Sequence, residues 1–384
     1  MSRWEKSEIC TLCKINIGKT PSRENTSYWK NGTHDWMTIS DLSEKYICNT
    51  KEKITHEAVS ECRMQAIPAN TVVMSFKLSL GKVGITRKSM FSNEAIASFS
   101  IIDKNKLCEN FLYYALRTLQ FENADRAAKG VTLNKSKLNH LVIPVPPLKV
   151  QHQIANELDT VSELLSLQER QLDDLDQLAQ SVFYEMFGDP VTNPLGWVTE
   201  PLDKHADILA GYPFDSSQYS QSGIKICGGL IIMPDRIAWE NANYWHSSDG
   251  LEKYLLSEND IVLAMDRPWI STGLKIGQIS QGDLPALLIQ RTARIRAIDI
   301  NPSFIKYMIN SRKFELHCKV TETTVPHISI KDIKNFHIFI PPFELQNKFA
   351  EIVTKIESQK SLVKQSIDET QRLFDSLMSK YFDD

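Results

Sequence analysis

From Ile154 onward, apolar residues recur at alternating intervals of four and three: Ile154, Leu158, Val161 and Leu165, then Gln168 in an apolar place, then Leu172, Leu175, Ala179, Val182 and Met186. This is the heptad spacing of a helix that buries one stripe against another helix. Pro146-Pro147 stands before the pattern and Gly188-Asp189-Pro190 after it, so the spacing predicts a helix from Val150 to Phe187, roughly 57 Å long at ~1.5 Å per residue. A helix of that length outruns the face of a domain of ~140 residues, and most of it must find another helix. The same register returns at Phe349, Val353, Ile356, Lys360, Val363, Ile367, Thr370, Phe374, Leu377 and Tyr381. Gln168, Lys360 and Thr370 interrupt the two seams, and polar seam positions fix register at some cost in stability.

The second helix is a copy of the first. Leu141–Phe187 aligns with Phe336–Phe382 without a gap at an offset of 195, and Ile143, Pro146, Pro147, Gln151, Ser181 and Phe187 recur as Ile338, Pro341, Pro342, Gln346, Ser376 and Phe382. Upstream the repeat is looser, at an offset of 193: Trp4, Gly18, Gly84, Phe111 and Tyr114 return as Trp197, Gly211, Gly277, Phe304 and Tyr307. A fixed-offset repeat marks two copies of one structural unit. The expected organisation is α+β: a globular head over 1–148, a long helix over 149–187, a second head over 188–343 and a second long helix over 344–384. Within the heads, short apolar runs at 71–75, 141–145, 260–264 and 336–340 predict strands, and 108–119 and 303–314 predict short amphipathic helices. Stretches rich in Gly, Asn, Ser and Pro separate them and leave each head with many loops.

Composition narrows the class. The chain has 384 residues with 42% hydrophobic and 24% charged, which suits two or three folded domains and excludes a disordered or fibrous chain. No run approaches the ~18 apolar residues of a membrane span, and no apolar signal core follows Met1-Ser2-Arg3-Trp4. Seven scattered cysteines suit reduced thiols, so a cytoplasmic location is expected. The net charge of -3 hides an asymmetry: residues 1–140 hold 21 Lys and Arg against 14 Asp and Glu, whereas 188–330 hold 13 against 16. A local basic surplus points toward an anionic partner such as nucleic acid.

Catalytic motifs do not survive inspection. Gly18-Lys19-Thr20 has Cys13 where a phosphate-binding loop needs its first glycine, and Pro21 where the helix should start. Ile340-Pro341-Pro342-Phe343 has the outline of an amino-methyltransferase motif, but Ile340 lacks the polar group that would face the target amine. Cys10 and Cys13 have no second pair to complete a zinc site, and Asp332-x-Lys334 lacks partner carboxylates. What remains is a binding protein with two similar heads. In the first, Lys19, Ser22, Arg23, Lys77, Lys82, Arg87, Lys88, Asn93, Lys129, Thr132, Asn134 and Lys135 cluster in loops. The corresponding stretches of the second hold Tyr212, Gln218, Arg267, Lys275, Gln290, Arg291, Thr323, Thr324 and His327. These residue types suit DNA: Arg and Lys read guanine, Asn and Gln read adenine, and Lys, Ser and Thr hold phosphates. A coiled-coil adaptor whose two heads bind protein is the competing reading.

Gly18-Lys19-Thr20-Pro21-Ser22, Tyr28-Trp29 and Trp36, then Ile143-Pro144-Val145-Pro146-Pro147 with Gln151, a heptad helix ending in Met186-Phe187-Gly188-Asp189-Pro190, and a second such unit together resemble the specificity subunit of type I restriction-modification systems. The resemblance covers essentially the whole chain. It implies two target-recognition domains, each reading one half of a bipartite, asymmetric DNA site, with the long helices packed as an antiparallel coiled coil that spaces them. It further implies two modification subunits that bring S-adenosylmethionine and methylate adenine, and motor-nuclease subunits that use ATP and Mg2+. By this resemblance the chain itself carries no cofactor, metal or catalytic residue.

Overall fold

The computed structural model describes residues 4–119, 134–234, 236–318 and 327–383. The chain forms two compact units. One comprises 1–169 with 366–384, the other 170–365. Each unit therefore takes one head, part of the first long helix (Leu148–Phe187) and part of the second (Phe343–Phe382), both 40 residues long.

In the first unit, strands Cys13–Ile17, Ile96–Ile101, Val72–Ser75, Val83–Thr86 and Tyr46–Ile47 lie side by side in that order. Their apolar face packs on the helix Glu109–Arg117, whose Phe111, Leu112, Tyr114 and Ala115 are fully buried. A smaller sheet orders Glu52–Ile54, His34–Met37 and Phe91–Ser92, and Lys6–Glu8 pairs antiparallel with Val142–Pro144 just before the first long helix. The second unit repeats this plan. Ala206–Ala210, Thr292–Ala297, Ile261–Ala264 and Ile276–Gln278 form its main sheet, Asn243–Trp245, Ile224–Cys227 and Ala286–Leu288 its smaller one, and Thr199–Pro201 pairs with His337–Phe339. The expected helix over 303–314 is two helices, Pro302–Ile309 and Arg312–His317, separated by Asn310-Ser311.

The heptad seams are buried or half-buried at every position the spacing marks. Ile154, Leu158 and Val161 join the core of the first unit together with Phe374 and Tyr381 from the second helix. Phe349 and Val353 join the core of the second unit together with Phe183 and Phe187 from the first. The beginning of each long helix thus meets the end of the other, and the two run antiparallel. Two polar seam residues find partners across the pair: the Gln168 amide donates to Ser366 Oγ at 2.7 Å, and the Lys360 ammonium meets Asp176 at 2.6 Å, with Glu357 of its own helix at 3.0 Å. A lysine that is 6% exposed is tolerable only with such partners.

The aromatic pairs explain why Phe and Tyr recur at an offset of 193. Phe111 lies 5.4 Å from Phe382, centroid to centroid, and its counterpart Phe304 lies 4.8 Å from Phe187. Each head thus rests on the end of a long helix: the first head on the second helix, the second head on the first. Phe183 adds contacts with Phe304 and Tyr307 at 5.8 Å each.

The repeated glutamine ties each long helix to its own head. Fully buried Gln151 accepts from the Cys108 amide at 3.0 Å and donates to the carbonyls of Lys106 at 2.7 Å and Pro146 at 2.8 Å. Gln346 does the same with the Asn301 amide at 2.9 Å and the Pro341 carbonyl at 2.8 Å. Cys108 and Asn301 are the residues that cap the heads' short helices. One side chain therefore satisfies backbone groups on both sides of a junction that has no regular pairing. Gln151→Met fills the space but leaves three backbone groups without their partner, two of them buried, so it should cost ~2–3 kcal/mol in urea unfolding; a loss below ~0.5 kcal/mol would remove the clip's role.

Among the described residues no helix is long and apolar enough to cross a membrane, and no cluster of His, Cys, Asp or Glu could hold a metal. Asp332 closes a capping box with Ser329 at the helix Ile330–Lys334, which gives the carboxylate a structural partner. Cys10 lies on a single helical turn, Ile9–Leu12, and Cys13 begins the next strand, buried.

Candidate nucleic-acid interface

Three chain segments meet at one edge of the main sheet in both heads. In the first, the Gly18 amide donates to Ile96 O and the Lys19 amide to Ser92 O, while the Phe76 amide donates to Ala95 O. This brings the exit of strand 13–17, the turn at 92–95 and the hairpin loop at 76–82 together. In the second head Gly211 donates to Thr292 O, Tyr212 to Leu288 O, Gln290 to Tyr212 O and Met265 to Arg291 O, assembling the equivalent edge from 211–212, 288–292 and 265–275. The glycines make the approach possible. A Cβ on Gly18 would lie 2.2 Å from Ser92 O, and one on Gly211 2.1 Å from Ile289 O, far inside contact distance.

The side chains presented at these edges differ. The first head's loop carries Lys77 and the exposed Lys82, with Leu78 between them 85% exposed and held at φ +61°. A bulky apolar residue in the left-handed region, facing solvent, is held there against its own preference. Asn93 spends its side chain on the Ala95 amide at 3.1 Å, and Glu94 beside it accepts from Thr20. The second head's loop carries Arg267, also left-handed at φ +45° and exposed. Around it stand Lys275, Gln290 and Arg291, which line an open cleft of about 540 Å3 with Gly228, Gly229 and Asp266. Asp266 forms an ion pair with Arg291 and a hydrogen bond, at 2.6 Å, with His327 Nδ1. Those partners, the Arg291 guanidinium first, hold its carboxyl below the usual carboxylate range.

Several other sequence candidates are engaged within the protein. Lys19 donates to the carbonyls of Cys62 and Arg63 at 3.1 and 3.3 Å. Arg23 forms a two-point pair with Glu52 and stacks 3.8 Å over Trp29, whose indole N–H donates to Ser22 O. Arg87 covers Tyr46 at 3.7 Å, and Lys88 bridges Asn49 and Asp35 at 2.8 and 2.7 Å. Asn134 caps the helix Lys135–Asn139, leaving Lys135 exposed in its first turn. Tyr212 packs edge-on to Phe214, and exposed Gln218 lies on the turn Ser216–Gln218. Lys129, Thr132, Thr323 and Thr324 lie outside the described residues. Sequence reading missed Leu78 and Leu230, the latter 88% exposed on the cleft rim; an exposed leucine leaves no periodic signal.

The family model of the type I restriction modification DNA specificity domain matches residues 1–177 and 219–372. The chain is 25% identical over 380 residues to the MjaIX specificity subunit of Methanocaldococcus jannaschii, covering 91% of this chain and 86% of that one. It is 32% identical over 173 residues to the EcoAI specificity subunit of Escherichia coli, covering 44% and 29%. Among solved structures, the S subunit of a type I restriction-modification system from M. genitalium superposes with a TM-score of 0.60 at 16% identity, over 100% of this chain and 96% of that one, a likeness of fold.

Proposed function

The chain belongs to the type I restriction-modification DNA specificity family, and on that premise we propose that its two heads each read one half of a bipartite, asymmetric DNA target through the three-segment edge of the main sheet. The observation that carries this reading is one edge built twice with different side chains. The hairpin loop carries Lys77 and Leu78 in the first head and Arg267 in the second, and the neighbouring turn carries Asn93 and Glu94 in the first head where the second has Gln290 and Arg291. Two similar scaffolds with unlike contact residues suit two unlike half-sites.

The chain contributes recognition, and chemistry belongs to its partners. Modification subunits bring S-adenosylmethionine and methylate adenine; motor-nuclease subunits bring ATP and Mg2+ and cut. The long helices offer the partners a surface. Leu167 and Leu178 on the first helix and their repeat counterparts Leu362 and Leu373 on the second are 49%, 48%, 65% and 50% exposed, one from each helix in each unit. Repeated, exposed leucines outside the seam suit a protein partner that binds twice.

Mapping methylated adenines across the genome of cells with and without the gene tests the reading. Methylation is expected in a two-part motif with unspecified base pairs between the parts, and it should disappear when the gene is deleted. A continuous motif, or methylation indifferent to the gene, would overturn it.

A further inference from the structure

The geometry points to a phosphoryl-binding site in the cleft of the second head, with Lys275 at its floor and Arg267 at its mouth, and we propose that it holds one phosphate of the DNA backbone. This rests on the DNA-reading role above and adds to it a specific ligand group and position.

Lys275 is 8% exposed, yet its ammonium has no hydrogen bond or ion pair among the described residues. Its two neighbours in the cleft do not relieve it. Arg267 is another cation, and the carboxylate of Asp266 is already shared by Arg291 and His327. Burial and then the Arg267 charge pull its proton affinity below the ordinary lysine value. An ammonium at the cleft floor beside a second cation, with no carboxylate of its own, favours the arrival of an anion. The space for an arrival exists. A Cβ on Gly229 would stand 3.5 Å from Ala264 Cβ and 4.0 Å from Lys275 Nζ, so the bare backbone there leaves the ammonium open to the cleft. In the first head the residue at the repeat position, Lys82, is exposed, so the recess is a property of the second head.

The recess also selects the ligand. Base edges in a stacked duplex lie flat inside a groove and are met by side chains that protrude. Phosphate oxygens are the groups that protrude from the duplex, and cations hold them irrespective of sequence. A lysine set back in a cationic cleft matches the second geometry.

The test uses the chain assembled with its modification subunits, titrated with target duplex at three salt concentrations, comparing the parent with Lys275→Gln, Lys275→Arg and Lys82→Gln. Lys275→Gln should weaken binding to the target and to duplexes with single base-pair changes alike, by about tenfold, as for one lost charged hydrogen bond. The slope of log affinity against log salt should fall by about 0.9. A duplex with one neutral methylphosphonate linkage in the second half-site should reproduce the loss with the parent and add nothing with Lys275→Gln. Lys275→Arg should retain the salt slope. Melting without DNA should show Lys275→Gln as stable as the parent, since the ammonium makes no hydrogen bond or ion pair among the described residues. If Lys275→Gln instead relaxes discrimination at one base pair with the slope unchanged, the cleft reads a base and the proposal fails. It fails also if affinity and slope are both unaltered. Protection of Lys275 from amine labelling by inorganic phosphate or ATP alone, with no change in DNA slope, would assign the site to a free phosphate rather than to DNA. Loss of salt-dependent DNA binding by the parent itself would overturn the DNA-reading role, an outcome separate from these.

Discussion

Exchanging residues 1–140 for the matching segment of another specificity subunit is expected to replace one half of the methylated sequence completely and leave the other half as it was. All three segments of the first head's proposed reading edge, at 18–20, 76–82 and 92–95, lie inside the exchanged stretch, and none belongs to the second unit. Each mismatched base pair costs ~1–3 kcal/mol, so a half-site of several base pairs changes hands by orders of magnitude in affinity. The graft must keep what the scaffold demands. Phe111 and Tyr114 have to meet Phe382 and Phe374, the backbone at 106–108 has to meet Gln151, and Lys45 has to reach Asp159 on the long helix, where Tyr114 also donates to that carboxylate. Sequencing of methylated adenines reads the outcome directly. A change in both halves would refute independent reading by the two heads.

Phe187→Ala should destabilise the second unit by ~3–5 kcal/mol, the range for deleting a fully buried phenylalanine. The ring sits among Phe183, Phe304 and Phe349 with centroids 5.2, 4.8 and 5.4 Å away, so the surroundings are stiff aromatics that collapse poorly into a void. Chemical unfolding followed by limited proteolysis should show early cleavage within 188–340. A variant as resistant as the parent would mean that the helix end is not what the second head rests on.

Much of this was legible in the residues. The 4,3 spacing placed both long helices within two residues of their observed starts, because a buried stripe on a long helix leaves a strict periodic trace. The duplication gave two equivalent heads. What the pattern could not give was the exchange of partners. Phe111, Phe187, Phe304 and Phe382 all announced themselves as repeats, yet only the three-dimensional arrangement pairs 111 with 382 and 187 with 304, since an internal repeat is blind to which copy meets which. The proposed reading edge was harder still. Lys19, Arg23, Lys88 and Lys275 all look like DNA contacts by type and position, but the first three are each met by a nearby carbonyl or carboxylate, whereas Lys275 is set apart only by its place in the cleft.

The first unit is not contiguous in the chain: residues 366–384 return to it after the whole of 170–365, and they bring Phe374 and Tyr381 into its core. During synthesis, then, the head made first is finished last. While residues 170–365 are being translated, the surface around Phe111 and Tyr114 waits without its final partners, whereas the second unit can close as soon as residue 365 is free of the ribosome. A nascent chain released at Gln365 would carry its lesion at the opposite end from the break, in a first head whose sequence is intact.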